Sequence, residues 1–220
     1  MAQKVTSTPA EQFVEYALKI GALELVPEGR KLKSGRISPY FFNSGLFNTG
    51  ETISKLAEAY FAAMYNPFLL DVIFGPAYKG IPLAVAVAQI IGGDVGYAFN
   101  RKEAKDHGEG GIIVGASIRG NNVVIVDDVM TTGTSSGEAV EIIRANGGTP
   151  IGCIIAFDRL ERGKETDLSA VQEFQRNYGI PVRAAATLAD LISVLEKSEK
   201  ASDAVALGMI LKYRDEYGVS

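Results

Sequence analysis

Two adjacent acids, Asp127 and Asp128, close an unbroken apolar run, Val123 to Val126. Behind them comes a stretch of hydroxyls and glycine: Thr131, Thr132, Gly133, Thr134 and Ser135. Gly133 lets the backbone approach a ligand closely, and loop N–H groups at the start of a helix attract a phosphate. The carboxylates repel that phosphate. They suit sugar hydroxyls beside it, or a magnesium ion. A phosphate cradle next to a diol acceptor outlines a ribose 5-phosphate site. The plainer reading makes Asp127 a turn cap and the Thr/Ser run a solvated loop. Two acids at the tip of a buried strand weigh against it.

A second set is cationic. Arg101, Lys102, Lys105 and His107 fall within seven residues, interrupted by Glu103 and Asp106 and followed by Gly108, Gly110 and Gly111. The glycines give the segment freedom to move. A mobile basic loop stabilises a pyrophosphate leaving group when closed and releases it when open. A solvated hairpin tip is the alternative, and it suffices for Glu103 and Asp106. Lys79, in Gly75-Pro76-Ala77-Tyr78-Lys79-Gly80, is a second phosphate ligand or else a surface lysine in a tight turn. Arg159 offers a planar fork for carbonyl or carboxylate oxygens, or else pairs with Glu161. Gly45 to Thr52 has a P-loop outline, but Glu51 stands where lysine is required and no strand precedes it.

Those residues must be positioned by elements, and the pattern supplies them. Thr8-Pro9-Ala10-Glu11 forms a capping box, with Phe13, Val14, Ala17 and Leu18 at helical spacing behind it. Residues 31–47 mix basic and aromatic residues without a clear period, and a second helix fits Thr52 to Tyr65. From residue 70 short apolar runs alternate with helical stretches. Strands are expected at Leu70–Phe74, Val95–Phe99 (the weaker one), Val123–Val126, Ile151–Phe157 and Val182–Ala186. Helices are expected near Ile81–Ile91, Ser135–Asn146 and Leu168–Tyr178, with one more capped by Thr187 and Asp190. Continuous apolar strands separated by helices mean a mainly parallel sheet covered on both faces. Ligands bind such sheets beyond the carboxyl ends of the strands. Three strand ends carry the candidate residues: Gly75 to Gly80, Asp127 to Ser135, and Asp158-Arg159.

Composition narrows the classes. The chain has 220 residues with formal net charge −4, which argues against a nucleic-acid surface over the whole molecule. One cysteine, Cys153, excludes an intrachain disulfide, and with one histidine there are too few such ligands for a structural zinc. The longest apolar stretch falls short of the ~20 residues of a membrane span, and Met1 to Pro9 lacks the apolar core of a signal peptide. A reduced, cytoplasmic setting is expected.

The stretch Val123 to Ala139 resembles the phosphoribosyl-diphosphate signature of the type I phosphoribosyltransferase family. Further segments are similar, in order, to its orotate-using members: LKSGRISPYFFNSGLFNTG, FGPAYKGIPLA, FNRKEAKDHGEGG and Asp158-Arg159. The resemblance implies an α/β fold: a central mainly parallel sheet flanked by helices, an N-terminal helical and hood appendage, and the mobile basic loop. Residues 1–220 form one domain in that reading, with residues 1–50 and part of the C-terminal region in the hood. It implies Mg²⁺-dependent transfer of phosphoribosyl from phosphoribosyl diphosphate to orotate, a step of pyrimidine nucleotide synthesis. Asp127, Asp128, Val129, Met130, Thr131, Thr132, Gly133, Thr134 and Ser135 then hold the ribose 5-phosphate. Lys33, Tyr78, Lys79, Arg101, Lys102, Lys105 and His107 serve the diphosphate. Phe41, Phe42, Thr131 and Arg159 receive orotate. The metal is carried by the diphosphate rather than by direct protein ligands, with Asp127 or Asp128 reaching it through water. Catalysis falls to Lys102, Lys105, His107, Asp127 and Asp128. The resemblance also implies a homodimer, with the basic loop reaching into the neighbouring site, and no nucleic-acid or membrane partner. A nucleic-acid-binding regulator on the same fold conflicts with the acidic balance and the intact loop. An aspartate phosphatase needs acids two apart, and Val129 occupies the second place. A purine transferase conflicts with the Phe41-Phe42 and 101–111 segments.

Overall fold

The computed structural model describes residues 7–32, 34–64, 69–105, 111–131 and 133–219, apart from the side chains of Ala104 and Lys105. Helix α1 (Pro9–Lys19) starts at the expected capping box: Thr8 Oγ1 accepts from the Glu11 N–H while Glu11 accepts from the Thr8 N–H. Strands β1 (Leu23–Lys31) and β2 (Ile37–Phe42) then form an antiparallel pair of their own. Helix α2 (Gly50–Ala63) follows, with strand β3 (Val72–Gly75), helix α3 (Gly80–Ile91), strands β4 (Gly96–Lys105), β5 (Gly111–Gly115) and β6 (Asn122–Asp127), and helix α4 (Thr134–Ala145). The chain continues through β7 (Thr149–Asp158), α5 (Ala170–Tyr178), β8 (Val182–Thr187), α6 (Leu188–Glu196) and α7 (Ala201–Tyr217).

Six strands make the main sheet in the order β5-β4-β3-β6-β7-β8, parallel except for β5 against β4. The continuous apolar run in β6 has its reason in the two faces. Val124 and Val126 pack on one side with α1, α2, α3, α6 and α7, while Val123 and Ile125 pack on the other with α4 and α5. From β3 the chain winds outward to β4, then returns to lay β6 on the other side of β3. That reversal opens a crevice beyond the carboxyl ends of β3 and β6, where this class of sheet binds ligands.

Five elements depart from the sequence expectation: β1, β2, β4, β5 and α7. The weak strand at Val95–Phe99 extends to Lys105 and pairs antiparallel with β5, so Arg101 to Lys105 of the basic segment lie on a strand. The aperiodic segment 31–47 contributes β2, which pairs with β1; Tyr40 and Phe42 bury against α7 and Phe157, so tertiary contacts override the missing alternation. The seventeen-residue α7 packs through Ala206, Ile210 and Tyr213.

Glu11 ties the two ends of this arrangement. Its carboxylate accepts from Ser193 Oγ at 2.6 Å and pairs with Lys197, joining α1 to the end of α6. Those contacts, the Lys197 hydrogen bond first, lower its pKa from 4.5 to about 2. An acid held lower in the folded state contributes stability that is complete above pH 4.5 and vanishes as the pH falls toward 2. Glu11→Gln is therefore expected to lower the melting temperature at neutral pH, with the gap to the parent closing between pH 4.5 and 2. Thermal denaturation across that range measures it, and a constant gap would contradict it.

Candidate active site

Both loops at the crevice are shaped for close approach. After β3, a Cβ on Gly75 would stand 2.0 Å from the Gly80 carbonyl oxygen, so only glycine lets that turn fold back on itself. Asn100 Oδ1 holds the same turn by accepting the Ala77 N–H at 3.0 Å. Tyr78 is exposed and faces Lys102, whose Nζ lies 5.5 Å from the ring centroid. After β6, Gly133 adopts φ +69°, a left-handed backbone that other residues take with strain. It is the N-cap of α4 and gives no side-chain cap, so the first helical N–H groups keep their attraction for an anion.

The two acids are buried and point to different partners. Asp127 Oδ2 accepts from the Ser135 and Ser136 hydroxyls, and Oδ1 accepts the Asp128 N–H at 2.9 Å. Burial raises its pKa, opposed by the Ser135 hydroxyl and the Asp128 N–H. Asp127 thus does part of the turn-capping work that the plainer sequence reading assigned it. Asp128 Oδ1 accepts the Val129 N–H at 2.8 Å; its Oδ2 accepts from Lys79 Nζ at 2.5 Å and from Ser44 Oγ at 2.9 Å. The strand tip is anchored from behind by Tyr60 of α2, whose hydroxyl donates to the Asp127 carbonyl at 2.6 Å.

Most expected residues gather here. Lys79 meets Asp128, Lys102 meets Tyr78, and Arg101 continues along β4 beside them. A cavity of about 710 Å³ runs from Asn100, Arg101 and Lys102 across Gly133, Thr134 and Ser135 toward α5. Thr131 is exposed on the loop, while Val129 and Met130 are half-buried and brace it against the two cores. Lys33, His107 and Thr132 lie outside the described residues, as does the side chain of Lys105.

The aromatic pair divides. Neighbouring residues of a strand face opposite ways. Phe42 is a core residue, 8 % exposed and stacked on Phe157 with centroids 5.5 Å apart. Phe41 is half-buried beneath the Arg30 guanidinium at 4.2 Å, so the two rings of the expected pair stand in different surroundings. Arg159 makes the ion pair with Glu161 that the sequence offered as its alternative, at 2.6 Å.

Ser44, Tyr60 and Asn100 are site residues that sequence reading missed. Ser44 sits within the quoted FNSGLF segment, but nothing in its type marks it as a partner for an acid 84 positions away. Tyr60 reads only as an apolar position of α2, and Asn100 only as a strand residue. Among the described residues no cluster of three or more His, Cys, Asp or Glu could cage a metal ion. Two adjacent carboxylates whose oxygens already accept hydrogen bonds suit a magnesium ion that keeps its waters and binds chiefly to substrate phosphates.

A family model described as "Phosphoribosyl transferase domain" matches residues 48–190. The chain is 50% identical to an orotate phosphoribosyltransferase of Bordetella avium, over 97% of this chain and 100% of that one. It is also 50% identical to an orotate phosphoribosyltransferase of Thiobacillus denitrificans, covering 94% of this chain and 97% of the other. A 1.9 Å crystal structure of orotate phosphoribosyltransferase from Francisella tularensis matches with a TM-score of 0.82 at 35% identity, covering 94% and 99% of the two chains.

The Tyr60 anchor yields an expected outcome. Tyr60→Phe removes a buried hydrogen bond behind the acid pair and is expected to lower the unfolding free energy by about 1–2 kcal/mol. Chemical denaturation measures it; an unchanged midpoint would show that the bond does not hold the strand tip.

Proposed function

The chain belongs to the orotate phosphoribosyltransferases of the phosphoribosyltransferase family, and we propose that it transfers the phosphoribosyl group of phosphoribosyl diphosphate to orotate. The products are orotidine 5′-monophosphate and diphosphate, in pyrimidine nucleotide synthesis. One observation carries the assignment of roles: Lys79 and Asp128 are paired at 2.5 Å beside the uncapped start of α4, so one cation and one anion wait at the mouth of an anion-binding loop.

On binding, the 5′-phosphate takes the N–H groups and hydroxyls from Val129 to Ser135, helped by the α4 dipole. The diphosphate draws Lys79 away from Asp128, and the freed carboxylate accepts from a ribose hydroxyl in place of the ammonium. Asp127, held by Ser135 and Ser136, accepts from the other hydroxyl or orients the loop that does. Tyr78, Arg101 and Lys102 line the diphosphate, joined by Lys33, Lys105 and His107. Asp127 and Asp128 would hold a magnesium ion through its waters, and the ion would supply neutralisation of part of the diphosphate charge. Orotate lies near Phe41, Phe42 and Thr131 with Arg159 at its oxygens, the Phe42 ring also fixing the strand from the core side.

The bond from ribose C1 to the diphosphate breaks as orotate nitrogen approaches, passing through an oxocarbenium-like state. The protein lowers that barrier by holding the two reactants in line and by surrounding the departing oxygens with fixed positive charge. Lys102 of β4 and Lys105 supply general charge to the leaving group, and His107 is the group able to hand over a proton.

The reading includes a single domain over residues 1–220 and a homodimer in which Lys102, Lys105 and His107 serve the neighbouring site. Exposed apolar side chains on adjoining elements, Phe61 of α2, Val85 of α3 and Tyr97 of β4, support a face for a second copy. A cytoplasmic setting belongs to the same reading; among the described residues no helix is long and apolar enough to cross a membrane.

Incubation with phosphoribosyl diphosphate, Mg²⁺ and a panel of nucleobases tests the assignment: orotate alone should be consumed, and chelating the metal should stop it. Consumption of a purine instead would sink it. Lys105→Ala is expected to lower kcat about a hundredfold or more with an unchanged melting temperature. Subunits carrying Lys105→Ala, mixed with subunits carrying Asp128→Asn, should regain activity in verified heterodimers. No recovery there would place each site within one chain.

A further inference from the structure

Arg159 lies just past the end of β7, in a setting built around its guanidinium. That group lies over the Tyr40 ring at 4.2 Å. Nε donates to Glu161 Oε1 at 2.7 Å, and Nη2 reaches the same oxygen at 2.6 Å while donating to Ser38 Oγ at 2.8 Å. Nη1 takes no part in these three contacts. Ser38 is fixed in turn, since its hydroxyl donates to the Tyr40 carbonyl at 2.8 Å.

Glu161 is gripped from its other side. Its Oε2 lies 3.6 Å from Arg36 Nη1, and the Tyr40 hydroxyl donates to Oε1 at 3.3 Å. Arg36 comes from the turn before β2. It donates to the main-chain carbonyls of Arg162 at 2.8 Å and Gly163 at 3.1 Å, and stacks over Tyr217 of α7 at 4.6 Å. The Arg159, Glu161 and Arg36 side chains are 17%, 12% and 14% exposed. Asp158, the next acid along the chain, turns its carboxylate onto the Leu160 N–H at 2.9 Å.

Exposed ion pairs fix little, because water competes and long side chains wander. Here burial and a shared carboxylate remove both freedoms. Two guanidinium groups divide one carboxylate, so Glu161 does not consume the whole donor fork of Arg159. We propose that Glu161 and Arg36 are positioning residues for base recognition: Glu161 holds the Nε–Nη2 edge of Arg159 so that Nη1 meets the carboxylate of orotate, and Arg36 holds Glu161 while fastening the β1–β2 hairpin to the chain after β7. The proposal rests on the reading of Arg159 as an orotate ligand.

Steady-state kinetics with each substrate varied in turn test it. Glu161→Gln is expected to raise KM for orotate about tenfold, with kcat and the donor KM within about twofold of the parent. Arg36→Lys keeps the charge and loses the fork, so a smaller rise in orotate KM alone is expected. A role confined to stability would move both KM values and kcat together, or only the melting temperature; either result, or an unchanged orotate KM, overturns the proposal. Should Glu161→Gln fail to fold, Arg36→Lys decides by the same split. Arg159→Ala separates the two layers. If it raises the orotate KM and the other two variants do not, the positioning role falls while the orotate reading stands. If it leaves the orotate KM unchanged, Arg159 is not a ligand and both fall.

Discussion

Burying two neighbouring carboxylates is costly unless every oxygen finds a donor, and the centre of this protein is arranged around meeting that demand for Asp127 and Asp128. Asp127 draws its donors from the helix it precedes, through Ser135, Ser136 and the Asp128 N–H. Asp128 draws its donors from across the crevice, through Lys79 after β3 and Ser44 after β2. The division matters for function. The first acid is tied to the start of the helix that follows it, whereas the second is tied to Lys79 and Ser44 across the crevice, groups that under the proposed reading a diphosphate and a ribose hydroxyl would replace.

The same contact joins two parts of the molecule. Ser44 belongs to the turn after the β1–β2 hairpin, so its bond to Asp128 brings the hairpin that carries Phe41 to the edge of the sheet that carries the acids. Farther along that edge, Arg36 and Ser38 of the hairpin region reach Glu161 and Arg159. Under the proposed reading, the hairpin, the end of β7 and α7 would then form the base side of the site, and β3 and β6 the sugar-phosphate side, with the hairpin contacts setting one against the other.

Legibility in the sequence followed how local each interaction is. The helix starts at Thr8 and Thr187 are capping boxes spanning four residues, and both are present as the spacing implied; the box at Ser169 was not read, and that helix begins two residues after the expected Leu168. The strands β3, β6, β7 and β8 declare themselves as continuous apolar runs because both their faces are covered. The β1–β2 hairpin did not, because its aromatic residues serve three different surroundings: Tyr40 faces Arg159, Phe41 faces Arg30 and Phe42 faces Phe157. Phe41 and Phe42 look alike in the sequence, and only the pleat separates the core ring from the half-buried one.

What the chain alone determined was the chemistry of the strand ends: two acids, a glycine in a hydroxyl loop, and the lysine and arginines that follow neighbouring strands. Those are one-dimensional facts, since a phosphate loop is built from consecutive N–H groups and a strand tip from consecutive residues. The tertiary structure decided the pairings: which cation faces which acid, that Ser44 and Tyr60 hold the pair from either side, and that Arg159 is steadied by Glu161 and Arg36. Such contacts join residues 49 to 126 positions apart or lie across a turn whose direction the fold sets. Residue type gives each partner its charge or hydroxyl, but only the packing of hairpin, sheet and helices brings them within hydrogen-bond reach.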